Sequence, residues 1–164
     1  MIAKAAFDLW KAGRLEEAAA GYREALAAMP ADDLSRSEAH SELAAVLQSL
    51  GDDAGALYHL EAAVDGARRI AGSDAPLAVV VTRYFLADYL RRQGRSEDAL
   101  AAIAPSLDVG AEKAWLLYVV EAEALLALGR REYAAVAAER ALALAPSDDK
   151  RTELAARFAA AGLT

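Results

Sequence analysis

The chain has 164 residues, 56% of them apolar but only 7% aromatic, and a formal net charge of −7. That length supports one domain with its own core, and the preponderance of Ala favours helix over strand; with no Cys, disulfides, thiolate catalysis and cysteine-ligated zinc are excluded. The negative charge argues against nucleic acid, which is bound by neutralising phosphates with Lys and Arg, and favours basic partners, while no uncharged apolar run reaches the roughly 18 residues of a membrane span.

Met1–Trp10 carries Lys4 and Asp8 and lacks the continuous apolar run of a secretory signal, so a cytoplasmic location is expected. The first predicted hairpin occupies about 1–31, turning at Gly13 and closing at Pro30. The second occupies about 36–71 and turns at Gly51; its second helix runs from Asp53 through Leu60, Val64 and Ala67 to Ile70, before Gly72-Ser73-Asp74-Ala75-Pro76 punctuates. A third, about 77–109, turns at Gly94 and contains Pro105, whose ring should end or kink the helix near Ala104. The fourth, about 111–146, turns at Gly129 and closes at Pro146. Beyond it Ser147, Asp148 and Asp149 open a ninth helix, about 148–162, with an acidic first turn that suits the dipole and Gly162 at its close. Leu154, Ala155 and Phe158 set against Lys150, Arg151 and Arg157 give it one apolar and one charged side, as the cap of a repeat array requires.

The hairpins align on five columns. Each turn Gly (Gly13, Gly51, Gly94, Gly129) is followed five residues on by Ala18, Ala56, Ala99 or Ala134, and seven residues further by Ala25, Ala63, Ser106 or Ala141. Seven residues before it stand Ala6, Ala44, Ala87 and Ala122, and four before it Leu9, Leu47, Leu90 and Leu125. Gly supplies the positive φ of a tight turn. The small residues mark where antiparallel helices touch, and Leu15, Tyr22, Leu43, Leu60 and Leu86 fill the space between.

These columns, with Pro30 and Pro146 in the closing position, resemble the tetratricopeptide repeat over nearly the whole chain. The resemblance implies an all-α fold, a right-handed α-solenoid of about four helical hairpins with a C-terminal capping helix, forming a single domain over 1–164. The Gly-to-Gly spacings of 38, 43 and 35 residues exceed the family's unit of about 34, so extra residues separate repeats one and two, and more separate two and three. Such lengthened hairpins resemble the variants of roughly 42 residues in kinesin light chains and bacterial regulators.

No chemistry competes with this reading. HExxH, GxGxxG, GxxxxGK[ST] and GxSxG are absent, so neither an enzyme nor a cofactor or metal site is expected. His40 takes a first-helix position that packs inward, and His59 is expected to face solvent. Glu16, Glu17, Asp52 and Asp53 sit at helix starts, where the dipole favours them, and Arg68-Arg69, Arg91-Arg92 and Arg130-Arg131 are read as helix ends. Arg outnumbers Lys 14 to 4, which with the Ala content points to a GC-rich bacterial source.

In the family, first helices line a concave groove that holds a protein or peptide. Carried over by alignment, the groove takes Phe7, Trp10 and Lys11 from repeat one, Ser41 and Gln48 with Glu38 and Ala45 from repeat two, and Tyr84, Asp88, Arg91 and Arg92 from repeat three. Repeat four adds Glu123 with Val119 and Leu126, and the cap adds Arg157 with Glu153. Phe7 and Trp10 stand off a core face supplied by Ile2, Ala5, Ala6 and Leu9, as interface anchors do. The branch that grips heat-shock-protein C-termini uses groove Asn residues, and this chain has no Asn. The expected role is a bacterial adaptor, chaperone or immunity-type inhibitor; the alternative is a homodimer formed through Ile2, Phe7 and Trp10 at an N-terminal edge that no cap precedes.

Overall fold

In the computed structural model, which describes residues 2–111 and 113–163 with the backbone alone at Ile2, the turn glycines set the architecture. Gly13, Gly51, Gly94 and Gly129 take φ of 75°, 77°, 75° and 73°. In each turn the Leu column accepts a bond across the Gly: Arg14, Asp52, Arg95 and Arg130 donate their N–H to the carbonyls of Leu9, Leu47, Leu90 and Leu125 at 3.0, 2.9, 2.9 and 2.9 Å. The left-handed Gly thus satisfies a carbonyl that the helix end would leave open. The carbonyl of each of these four residues then accepts the N–H of the column Ala five residues past the Gly, starting the second helix. One Gly therefore both stops a helix and places the next.

All regular elements among the described residues are helical, as expected. The chain divides into two compact units, Met1–Gly72 and Ser73–Thr164. The first holds α1 (Ile2–Lys11), α2 (Leu15–Ala28), α3 (Ser35–Leu50) and α4 (Asp53–Ala71). Ala6, Ala18, Ala25, Ala44, Ala56 and Ala63 are all buried, as are Tyr22, Leu43, Val46 and Leu60 between them. Helices α1 and α2 approach so closely that a Cβ on Gly21 would lie 3.1 Å from that of Ala6. The Asp52 side chain caps α4 by accepting from Gly55 N–H at 2.9 Å. The extra residues between the first two hairpins are pinned by two arginines. Arg36 donates to the Leu26 and Met29 carbonyls at 2.6 and 2.7 Å, and Arg69 to the Ala31 carbonyl at 2.8 Å. The core of α1 differs from expectation: Ala5 is exposed and Leu9 only half-buried, because α1 packs on α2 and touches α3 at its margin. The Ile2 side chain lies outside the described residues.

The second unit holds α5 (Leu77–Arg92), α6 (Ser96–Ile103) with a 3-10 turn at Ala104–Ser106, α7 (Trp115–Ala127), α8 (Arg131–Ala143) and α9 (Asp148–Ala160). Pro105 ends α6 at Ile103, as its ring requires. The Ser147 side chain caps α9, and its Leu154 and Phe158 complete the core of the α7–α8 hairpin with Tyr118, Val119, Ala134 and Ala138. The insertion ahead of α5 is again held by an arginine. Arg83, buried, donates to Asp74 Oδ1 at 2.7 Å and to the Ala102 carbonyl at 2.6 Å, while Ser106 Oγ donates to the Asp74 carbonyl at 2.7 Å. Ser106 thereby accounts for its place in a column of small residues: it is fully buried, and its hydroxyl is used.

Candidate binding surface

In the first unit α1 brings Phe7, Trp10 and Lys11 together. The rings meet edge to face with centroids 5.9 Å apart and planes at 81°, and Lys11 Nζ lies 5.7 Å from the Phe7 centroid. Both rings are partly buried and Lys11 is exposed. Ser41 Oγ is committed to the Ser37 carbonyl of its own helix at 3.0 Å, and Gln48 is half-buried two turns further on.

In the second unit six of the predicted residues converge from three helices. Tyr84, Asp88 and Arg91 recur on one stripe of α5, Glu123 comes from α7 and Arg157 from α9. Asp88 accepts from Arg91 through Oδ1 at 2.8 Å and from Arg92 through Oδ2 at 2.5 Å. Arg91 Nε stands 3.2 Å from Glu123 Oε2, close enough for an ion pair but not aligned as a hydrogen bond. Glu123 Oε1 accepts from Arg157 Nε at 2.6 Å. The result is one chain of alternating charge, Arg92–Asp88–Arg91–Glu123–Arg157. Its carboxylates are the covered members, each 16% exposed, while Arg92 and Arg157 at the ends are 58% and 45% exposed. Burial, then the negative charge of Asp88, pushes the Tyr84 hydroxyl above its usual range, so it remains a neutral donor. Three guanidiniums against two carboxylates leave a positive surplus on the outward side.

Three expectations are corrected. Val119 does not face a groove: it is 3% exposed because α9 covers it with Leu154 and Phe158. Arg130 and Arg131 stand at the start of α8, where the dipole disfavours cations. They are held there by other partners: Arg130 pairs with Glu97 at 2.5 Å, and Arg131 donates to the Gly162 carbonyl. His59 is half-buried rather than solvent-facing, because its Nδ1 meets that of His40 at 2.8 Å. The sequence reading missed that pair. Its signal was positional: His40 precedes Ala44 by one turn on α3 and His59 follows Ala56 by nearly one on α4, and these two buried columns bring the helices together.

Helical hairpins closed by left-handed Gly, packed through small residues and presenting polar stripes on their first helices, define a helical-repeat binding scaffold. Residues 35–109 match the family model described as tetratricopeptide repeat, and that segment carries repeats of the family. Comparison with curated proteins returns no match. No helix among the described residues is long and apolar enough to cross a membrane.

Proposed function

We propose that this chain is a bacterial cytoplasmic module that holds one protein, or an extended segment of one, on the face formed by α5, α7 and α9, serving as an adaptor, secretion chaperone or immunity-type inhibitor. Protein binding is the general property of the family. The observation that carries the particular surface is the five-residue charge chain, which fixes Arg92 and Arg157 at its open ends beside a neutral Tyr84 hydroxyl. A basic partner is what the overall charge of −7 favours. At this face, however, the outward groups are guanidiniums, and an acidic side chain or chain terminus on the partner suits them better.

Affinity capture from the source cell followed by titration of the captured partner tests this. Tyr84→Ala and Arg92→Glu should each weaken binding by about 2 kcal/mol, roughly thirtyfold. A partner insensitive to both excludes this face. The second reading, self-association through α1, rests on the partly exposed Phe7–Trp10 pair. Light scattering over a concentration series separates the two, since mass that rises with concentration and falls back in Trp10→Ala favours the homodimer.

A further inference from the structure

The two arginines that pin the α2–α3 link also wall a cavity. It measures about 340 Å³ and opens on the first unit, lined by Arg36, Ser37 and His40 of α3 and by Glu61, Asp65 and Arg69 of α4. Small-ligand sites begin at about 300 Å³. Four formal charges line it, two of each sign, and none forms an ion pair among the described residues. Asp65 and Arg69 are one helical turn apart, where such pairs readily close, yet Arg69 reaches instead to the Ala31 carbonyl.

A carbonyl fixes a guanidinium without neutralising it. Arg36 spends Nη1 on the Leu26 and Met29 carbonyls and Arg69 spends Nη2 on Ala31, so each keeps its full charge and further N–H donors in a set orientation. Between them Ser37, 5% exposed, has an Oγ without a hydrogen-bond partner among the described residues. A Cβ on Gly66 would lie 3.0 Å from that oxygen, so this wall is fitted to a glycine. His40 adds no third positive charge, because burial, His59 and Arg36 hold it neutral.

A lone anion here would meet Glu61 and Asp65, and a lone cation would meet Arg36 and Arg69. A molecule bearing both signs satisfies both walls. We propose that this cavity binds a small zwitterion of amino-acid size, its carboxylate toward Arg36 and Arg69 and its cationic nitrogen toward Glu61 and Asp65.

Calorimetric titration of the full chain with L-arginine, beside acetate and methylguanidinium as single-charge probes, tests the proposal. L-arginine should bind at least about tenfold more tightly than either probe. Asp65→Asn, at a side chain with no hydrogen bond or ion pair among the described residues, and Arg69→Gln should each lower its affinity about tenfold, with helicity by circular dichroism unchanged in Asp65→Asn. Absence of saturable binding at several millimolar L-arginine, acetate binding as tightly as L-arginine, or full affinity in Asp65→Asn would each overturn it.

Discussion

His40 and His59 are 19 residues apart in the chain, and their Nδ1 atoms share one hydrogen bond at 2.8 Å. One ring must donate and the other accept, so at least one ring must stay neutral and the bond is lost once both are protonated. Burial, the facing His59 and the charge of Arg36 bring His40 down to about 4, while burial and Arg23 lower His59 against a weaker pull upward from Asp52. Both groups therefore titrate lower folded than unfolded, where His lies near 6.5. Their contribution is whole above about pH 6.5 and is lost as pH falls toward 4, because the unfolded chain takes up the protons first. Glu42 acts in the opposite sense, since burial raises it, so the informative quantity is a difference between variants. Between pH 7 and pH 4 the wild type should lose on the order of 2 kcal/mol more than His40→Gln, which keeps a neutral bonding partner for His59; half-exposure of the rings holds the figure below that of full burial. Urea midpoints at stepped pH measure it, and parallel curves for the two proteins would remove the histidine pair as the cause.

The helix contacts make a simpler demand. Ala56 and Ala134 sit at corresponding places in α4 and α8, both with 0% exposure. Leu at either should overpack a helix pair and cost about 1–3 kcal/mol by chemical denaturation; neutrality at both would contradict the packing. These columns were readable in the sequence because two local rules fix them: a turn that needs positive φ, and a contact that admits no side chain beyond Ala or Ser. Tyr84, Asp88 and Arg91 were readable for a similar reason, since one helical stripe brings them together. What spacing could not reveal was how the insertions are held. Arg36, Arg69 and Arg83 reach the Met29 and Ala31 carbonyls and the Asp74 carboxylate on irregular segments, whose path no periodicity describes. Arg130-Arg131 misled for a related reason: by sequence alone a basic pair flanking a turn fits either the helix before it or the helix after.

Each compact unit has its own buried Ala and Leu columns and its own arginine-pinned insertion. In repeat arrays stability is close to a sum of terms from each repeat and its immediate neighbours, so damage should stay near where it is made. Hydrogen exchange followed by mass spectrometry checks this directly. In Ala56→Leu the amides of α3 and α4 should exchange faster while those of α7 and α8 keep their wild-type protection, and Ala134→Leu should do the reverse. A uniform rise along the chain in either variant would mean that the two units open together. The same pair of variants separates scaffold from binding. The charge chain from Arg92 to Arg157 draws on α5, α7 and α9 alone, so Ala56→Leu should leave capture of a partner on that face intact. Ala134→Leu, by loosening the α7–α8 hairpin on which α9 rests, should shift Arg157 away from Glu123 and weaken capture without altering any residue of the surface itself.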